Sequence, residues 1–73
     1  MRAKNKSYFI EFGQNLRKIR KSKGLSQHQL ASNCEVDRAK ISQIENGNED
    51  FFLETLIEIS RGLNIQLKDL FDF

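Results

Sequence analysis

Residues 26–47 read SQHQLASNCEVDRAKISQIENG, and this stretch decides the fold. Ser26 stands three residues before Gln29, the spacing of a capping box in which each side chain satisfies the other residue's unpaired backbone N–H. That start opens a short helix over residues 26–34 whose buried side is Leu30, Ala31 and Cys34. Glu35 and Val36 interrupt it. Asp37 is a second N-cap candidate, and a further helix over residues 37–46 turns Ile41 and Ile44 inward before Asn46 and Gly47 stop it. Two short helices therefore meet across a tight turn.

The flanking sequence keeps the same three-to-four rhythm. Upstream, Phe9, Phe12, Leu16 and Ile19 mark an amphipathic helix over residues 8–23, closed by Gly24. Downstream of the polar loop 47–50, Leu53, Leu56, Ile57 and Leu63 mark a fourth helix ending at Arg61 or Gly62, and a last turn holds Leu67, Leu70 and Phe71. No apolar run alternates with period two, so no strand is expected and the class is all-α. With no proline, repeat or low-complexity stretch, the 73 residues are expected to form a single domain over residues 1–73. A chain of this size buries only about 60% of its unfolded surface, enough for one core and too little for a deep catalytic cleft.

Composition narrows the classes further. Charged residues make up 30% and hydrophobic residues 38%, the balance of a folded domain, and no apolar run approaches the length of a membrane span. Cys34 is the only cysteine, so neither an intramolecular disulfide nor a cysteine-based metal cluster is expected, and the absence of staples and of a signal segment points to a cytoplasmic location. The net charge of +2 conceals an asymmetry: residues 1–24 carry +7, residues 25–44 balance, and residues 45–73 carry −5. One end of the molecule is thus expected to attract polyanions.

Projected at 100° per residue with Ile41 and Ile44 inward, the helix over 37–46 shows Ala39, Ser42, Gln43 and Asn46 to solvent, flanked by Arg38 and Lys40. An ordinary solvated face accounts for these residues taken alone. Their chemistry also suits base edges, since arginine can take guanine O6 and N7 together, glutamine can pair with adenine N6 and N7, and an alanine methyl can touch thymine. The arrangement of two short helices beside a basic upstream helix favours the second reading.

The segments FGQNLRKIRKSKGLSQ (12–27), QLASNCEVDRAKISQIENG (29–47) and LETLIEISRGLNIQLKDLF (53–71) together resemble the helix-turn-helix domain of the Xre family, the Cro and phage-repressor type. The resemblance spans roughly residues 10–71. It implies five short helices in a lambda-repressor-like fold that binds double-stranded DNA without a cofactor, with residues 26–34 as the positioning helix and 37–46 as the recognition helix. Carried over by position, Arg38, Ala39 and Gln43 are base contacts, Lys40 and Ser42 flank them, and Gln27 and Asn46 are phosphate contacts. Arg17, Lys21 and His28 join the phosphate side, and Arg20 and Glu45 match an internal ion pair. Three departures stand out. Glu35 replaces a frequent turn glycine and is expected to carry a left-handed or strained backbone. Asp37 replaces the usual Ser or Thr cap, and Phe51-Phe52 replaces the Pro-Ser that often precedes the fourth helix.

Six phenylalanines and one tyrosine exceed what so small a core needs. Phe12, Phe71 and one of Phe51 or Phe52 are expected inside, and the rest to form an apolar patch that builds a homodimer. An enzyme is disfavoured, because His28 on the polar side of its helix and Cys34 on the buried side cannot pair as base and nucleophile. The favoured reading is an autoregulatory repressor, and phage repressors, restriction-modification controllers and antitoxins all share its architecture. The alternative is an antitoxin or interaction module whose aromatic surplus binds a partner protein such as a toxin.

Overall fold

The computed structural model describes residues 2–73. A 3₁₀ turn at Ala3–Asn5 leads into α1 (Lys6–Ser22), followed by α2 (Gln27–Ser32), α3 (Arg38–Glu45) and α4 (Leu53–Leu63), and a 3₁₀ segment at Leu67–Phe71 closes the chain. The all-α expectation holds, and the fifth helix is this 3₁₀ segment. Its start is held by Asp69, whose carboxylate accepts the Gln66 N–H, and Asn15 of α1 ties its end by donating Nδ2 to the Leu70 carbonyl at 2.9 Å.

Each helix begins and ends for a local reason. Ser26 and Gln29 form the reciprocal capping box, and the Asp37 carboxylate accepts the Lys40 N–H at 2.7 Å. At the C-terminal ends of α1 and α3, Gly24 and Gly47 take left-handed backbone, with φ of 71° and 70°. The following N–H then reaches back to the third-last carbonyl, Leu25 to Arg20 and Asn48 to Gln43, which is the Schellman pattern. The end of α4 differs from expectation: Gly62 does not stop it. The helix runs on to Leu63, and Asn64 supplies the left-handed residue at φ 57° while the Ile65 N–H returns to Ser60. Gly62 serves packing instead, since a Cβ there would lie 2.9 Å from Leu30 Cδ1 and 3.1 Å from Cys34 Cβ.

The core joins Phe12 and Leu16 of α1, Leu30 of α2, Val36, Ile41 and Ile44 around and within α3, Leu56, Ile59 and Leu63 of α4, and Leu70. Seven of these side chains, Leu16, Leu30, Ile41, Ile44, Ile59, Leu63 and Leu70, are fully enclosed, so the two short helices are clamped between α1 and α4. Phe71, expected inside, is half exposed because Leu70 takes the inward place on the terminal segment. Phe51 is partly buried against Phe12, and Phe52 is exposed. The left-handed strain expected at Glu35 is absent: among the described residues only Asn64 combines a side chain with positive φ. The turn is spread over residues 33–36, and Glu58 of α4 accepts the Glu35 N–H at 3.2 Å.

Gly13 sets how closely α1 approaches α3. A Cβ on it would overlap the Ile44 carbonyl oxygen and stand 2.6 Å from that of Glu45, both backbone atoms that cannot turn aside. Helix propensity alone would make Gly13→Ala stabilising by about 1 kcal/mol. The backbone collision reverses the sign, and the variant is expected to lose about 1–3 kcal/mol of stability. A thermal midpoint equal to or above that of the parent would contradict this packing.

Candidate nucleic-acid interface

The face of α3 turned away from the core is built by the rhythm that buries Ile41 and Ile44. Arg38, Ala39, Gln43 and Asn46 are exposed, and Ser42 and Lys40 are half-buried at its edges. The Arg38 and Gln43 side chains have no partner among the described residues, so their donors and acceptors are free for a ligand. Lys40 is differently placed from the sequence expectation: its Nζ donates to the Asp50 carbonyl at 2.6 Å and lies 3.7 Å from Glu49, which ties the start of α3 to the loop before α4. On α2, His28 is exposed, and the Gln27 and His28 backbone N–H groups open the helix without a partner among the described residues. Such a helix start suits an anion.

Behind this face Glu45 gathers three side chains. Arg20 grips it with two hydrogen bonds, Nε to Oε2 at 2.6 Å and Nη2 to Oε1 at 2.9 Å, and sends Nη1 to the Leu25 carbonyl at 2.7 Å. Gln27 donates Nε2 to Oε1 at 3.1 Å, and Arg17 donates Nε to the same oxygen at 3.3 Å. The Glu45 side chain is wholly enclosed and that of Arg20 is 8% exposed, so this is a buried charge pair with its hydrogen bonds met. The expected ion pair of Arg20 and Glu45 is therefore present, and larger than expected. Arg17 and Gln27, expected only as phosphate contacts, are both drawn into it, and Arg17 also donates Nη2 to Asn46 Oδ1 at 3.3 Å. Lys21 remains exposed and unpaired among the described residues. Sequence reading missed these links because their partners lie 18–29 positions apart, beyond any helical period.

Cys34 lies half-buried at the α2–α3 turn and donates its Sγ hydrogen to the Leu30 carbonyl at 3.3 Å; burial pushes the thiol up, so it stays protonated. At the other end of the molecule an apolar groove of about 300 Å³ is lined by Tyr8, Phe9, Phe12, Phe51, Phe71 and Phe73. Its rings meet at 5.0–6.2 Å between centroids, in tilted and edge-on pairs. No helix among the described residues is long and apolar enough to cross a membrane.

Two capped short helices, the second showing an acid-free polar face and fixed from behind by a buried ion pair, define a helix-turn-helix. Residues 13–72 match the helix-turn-helix domain family. The control protein C.BamHI of Bacillus amyloliquefaciens is 46% identical over 63 residues, covering 85% of this chain and 78% of the relative. The control protein C.MunI of a Mycoplasma species is also 46% identical over 63 residues, covering 85% of each. Among solved structures, the restriction-modification controller protein C.AhdI from Aeromonas hydrophila is similar with a TM-score of 0.85 and 33% identity, over 88% of this chain and 97% of that one. The controller protein C.Esp1396I, solved as a tetramer with its natural 35-base-pair operator, is similar with a TM-score of 0.79 and 30% identity, over 88% of this chain and 84% of that one. The chain belongs to the helix-turn-helix family of Xre-type regulators.

Burial by itself pushes the Glu45 carboxyl up, but the hydrogen bonds from Arg20 and Gln27 and the Arg20 charge outweigh it and hold Glu45 below its ordinary value of 4.5. The Arg20 guanidinium is raised chiefly by its hydrogen bonds to Glu45. A carboxyl depressed in the folded state binds its proton more readily once unfolded, so its contribution is complete above the unfolded value and is lost as pH falls through the folded one. Stability measured by urea unfolding is expected to fall as pH drops below about 4.5. Glu45→Gln leaves Arg20 enclosed without its counter-charge, and is expected to cost about 3–5 kcal/mol at neutral pH and to flatten that acid limb. An acid limb as steep as that of the parent would show that Glu45 does not carry it.

Proposed function

We propose that the chain is a controller-type transcriptional regulator that binds operator duplex and represses its own promoter, with α3 in the major groove. One observation carries the reading. Arg38, Ala39 and Gln43 stand exposed on a helix whose other side is fully packed, and the Arg38 and Gln43 side chains have no partner among the described residues. Arg38 and Gln43 then read guanine and adenine edges, and Ala39 a thymine methyl, with Ser42 at the margin. Lys21, His28 and the first-turn N–H groups of α2 face phosphates and set the register. The similarity to control proteins supports this assignment over the antitoxin one.

The aromatic groove supports a two-fold dimer. Tyr8, Phe71 and Phe73 are each at least half exposed, and a second copy seated there would remove from water a patch of the kind monomers rarely leave open. Two recognition helices about 34 Å apart would then read successive major grooves. Selection from a random duplex pool at near-physiological salt is expected to enrich an inverted repeat. Failure to enrich any sequence would overturn the reading, and enrichment of an unrepeated site, with a monomer by light scattering, would remove the dimer.

On the selected duplex the two classes of contact separate. Arg38→Ala is expected to lose about 1–3 kcal/mol of specific binding and to relax preference at one base pair, whereas Lys21→Ala weakens all sequences alike and lowers the salt slope by about one. Unchanged specificity in Arg38→Ala would displace it from the base-reading set.

A further inference from the structure

Gln27 and Asn46 carry the same carboxamide group and both border the Glu45 cluster, but they are held in opposite senses. Gln27 gives one Nε2 hydrogen to Glu45, which leaves its carbonyl oxygen and the second Nε2 hydrogen unpaired. Asn46 accepts with Oδ1 from Arg17 Nη2, so the group it leaves unpaired is the Nδ2 amine. A phosphate oxygen can only accept. It can take either hydrogen of the Asn46 Nδ2, whereas one of the two Gln27 hydrogens is already committed to Glu45.

We propose that Arg17 is a positioning residue for DNA: it fixes the Asn46 carboxamide with its amine outward at the C-terminal end of α3, making Asn46 a neutral phosphate donor. The inference rests on the regulator reading and deepens it. Arg17 is suited to this because its planar fork spans two acceptors, Glu45 Oε1 and Asn46 Oδ1, each at 3.3 Å. Those inward bonds occupy two of the three guanidinium nitrogens, although the side chain is 46% exposed. A lysine keeps the charge but lacks the planar fork that holds the two acceptors in a fixed geometry.

Arg17→Lys, Asn46→Ala and the double variant, titrated on the selected duplex across a range of salt, test the pair. Arg17→Lys is expected to lose about tenfold in affinity, as Asn46→Ala does, the double variant to lose no more than either, and all to keep the salt slope of the parent. Near-parental affinity of Arg17→Lys, or additive losses in the double variant, would overturn the proposal. So would an Arg17→Ala variant whose slope falls by about 0.9, the signature of a direct phosphate contact. The free protein gives a readout without DNA. The Asn46 side-chain amide resonances are expected to be dispersed in the parent and averaged in Arg17→Lys, and identical resonances would count against the pair. A parent that binds no duplex overturns the regulator reading and this inference together. Failure of the inference alone shows as a parent that binds and an Arg17→Lys variant that binds equally well.

Discussion

The enclosed Glu45 carboxylate is the constraint on which the rest of the molecule depends. Removing a charge from water costs several kcal/mol even after the protein relaxes, so it persists only with a partner and with its remaining lone pairs filled. Here Arg20 supplies the partner, and Gln27 and Arg17 fill Oε1. Those donors come from two different helices, and the acceptor ends a third. A well-packed apolar group could match the stability of such a pair. It would not fix how α1, α2 and α3 are rotated against one another, because dispersion contacts are nearly indifferent to small rotations and a bidentate hydrogen bond is not.

The same contact requires the glycine. Gly13 and Arg20 lie seven residues apart, with Arg17 between them, so all three fall on one stripe of α1. At one end of that stripe the Ile44 and Glu45 carbonyls press against the bare Cα of Gly13. At the other, Arg20 reaches the Glu45 carboxylate. Close backbone approach therefore brings the C-terminal end of α3 within reach of an arginine two turns along, and the ion pair holds it there.

Much of this was legible from local pattern, and the failures have one source. Helix starts at Ser26 and Asp37 and stops at Gly24 and Gly47 follow from chemistry within four residues of each end. Gly62 was misread as a stop because its reason for being glycine is Leu30, a residue 32 positions away. Glu35 needs no left-handed backbone because the turn is spread over residues 33–36, where a carboxylate from α4 also meets its amide. Phe71 looked like core on hydrophobicity, yet on the short 3₁₀ segment it is Leu70 that is fully enclosed, with Leu67 packed beside the core. On the interface, the exposed face was read correctly as a face. The internal duties of Arg17, Gln27 and Lys40 were not, since each partner arrives from elsewhere in the chain.

Charge placement completes the division of labour. The acidic groups nearest α3 have partners within the fold. The Asp37 carboxylate caps the helix start, where the backbone dipole favours a negative group, and Glu49 and the Asp50 carbonyl hold Lys40. Glu45 is enclosed, and its charge is met by Arg20. On the proposed function, Arg38 is the cation on the exposed face of α3, and the basic surface of α1 adds attraction that depends on charge alone. Under the same proposal, base reading falls to the exposed face of α3 and charge-driven attraction to α1, two helices joined through the enclosed Glu45 carboxylate.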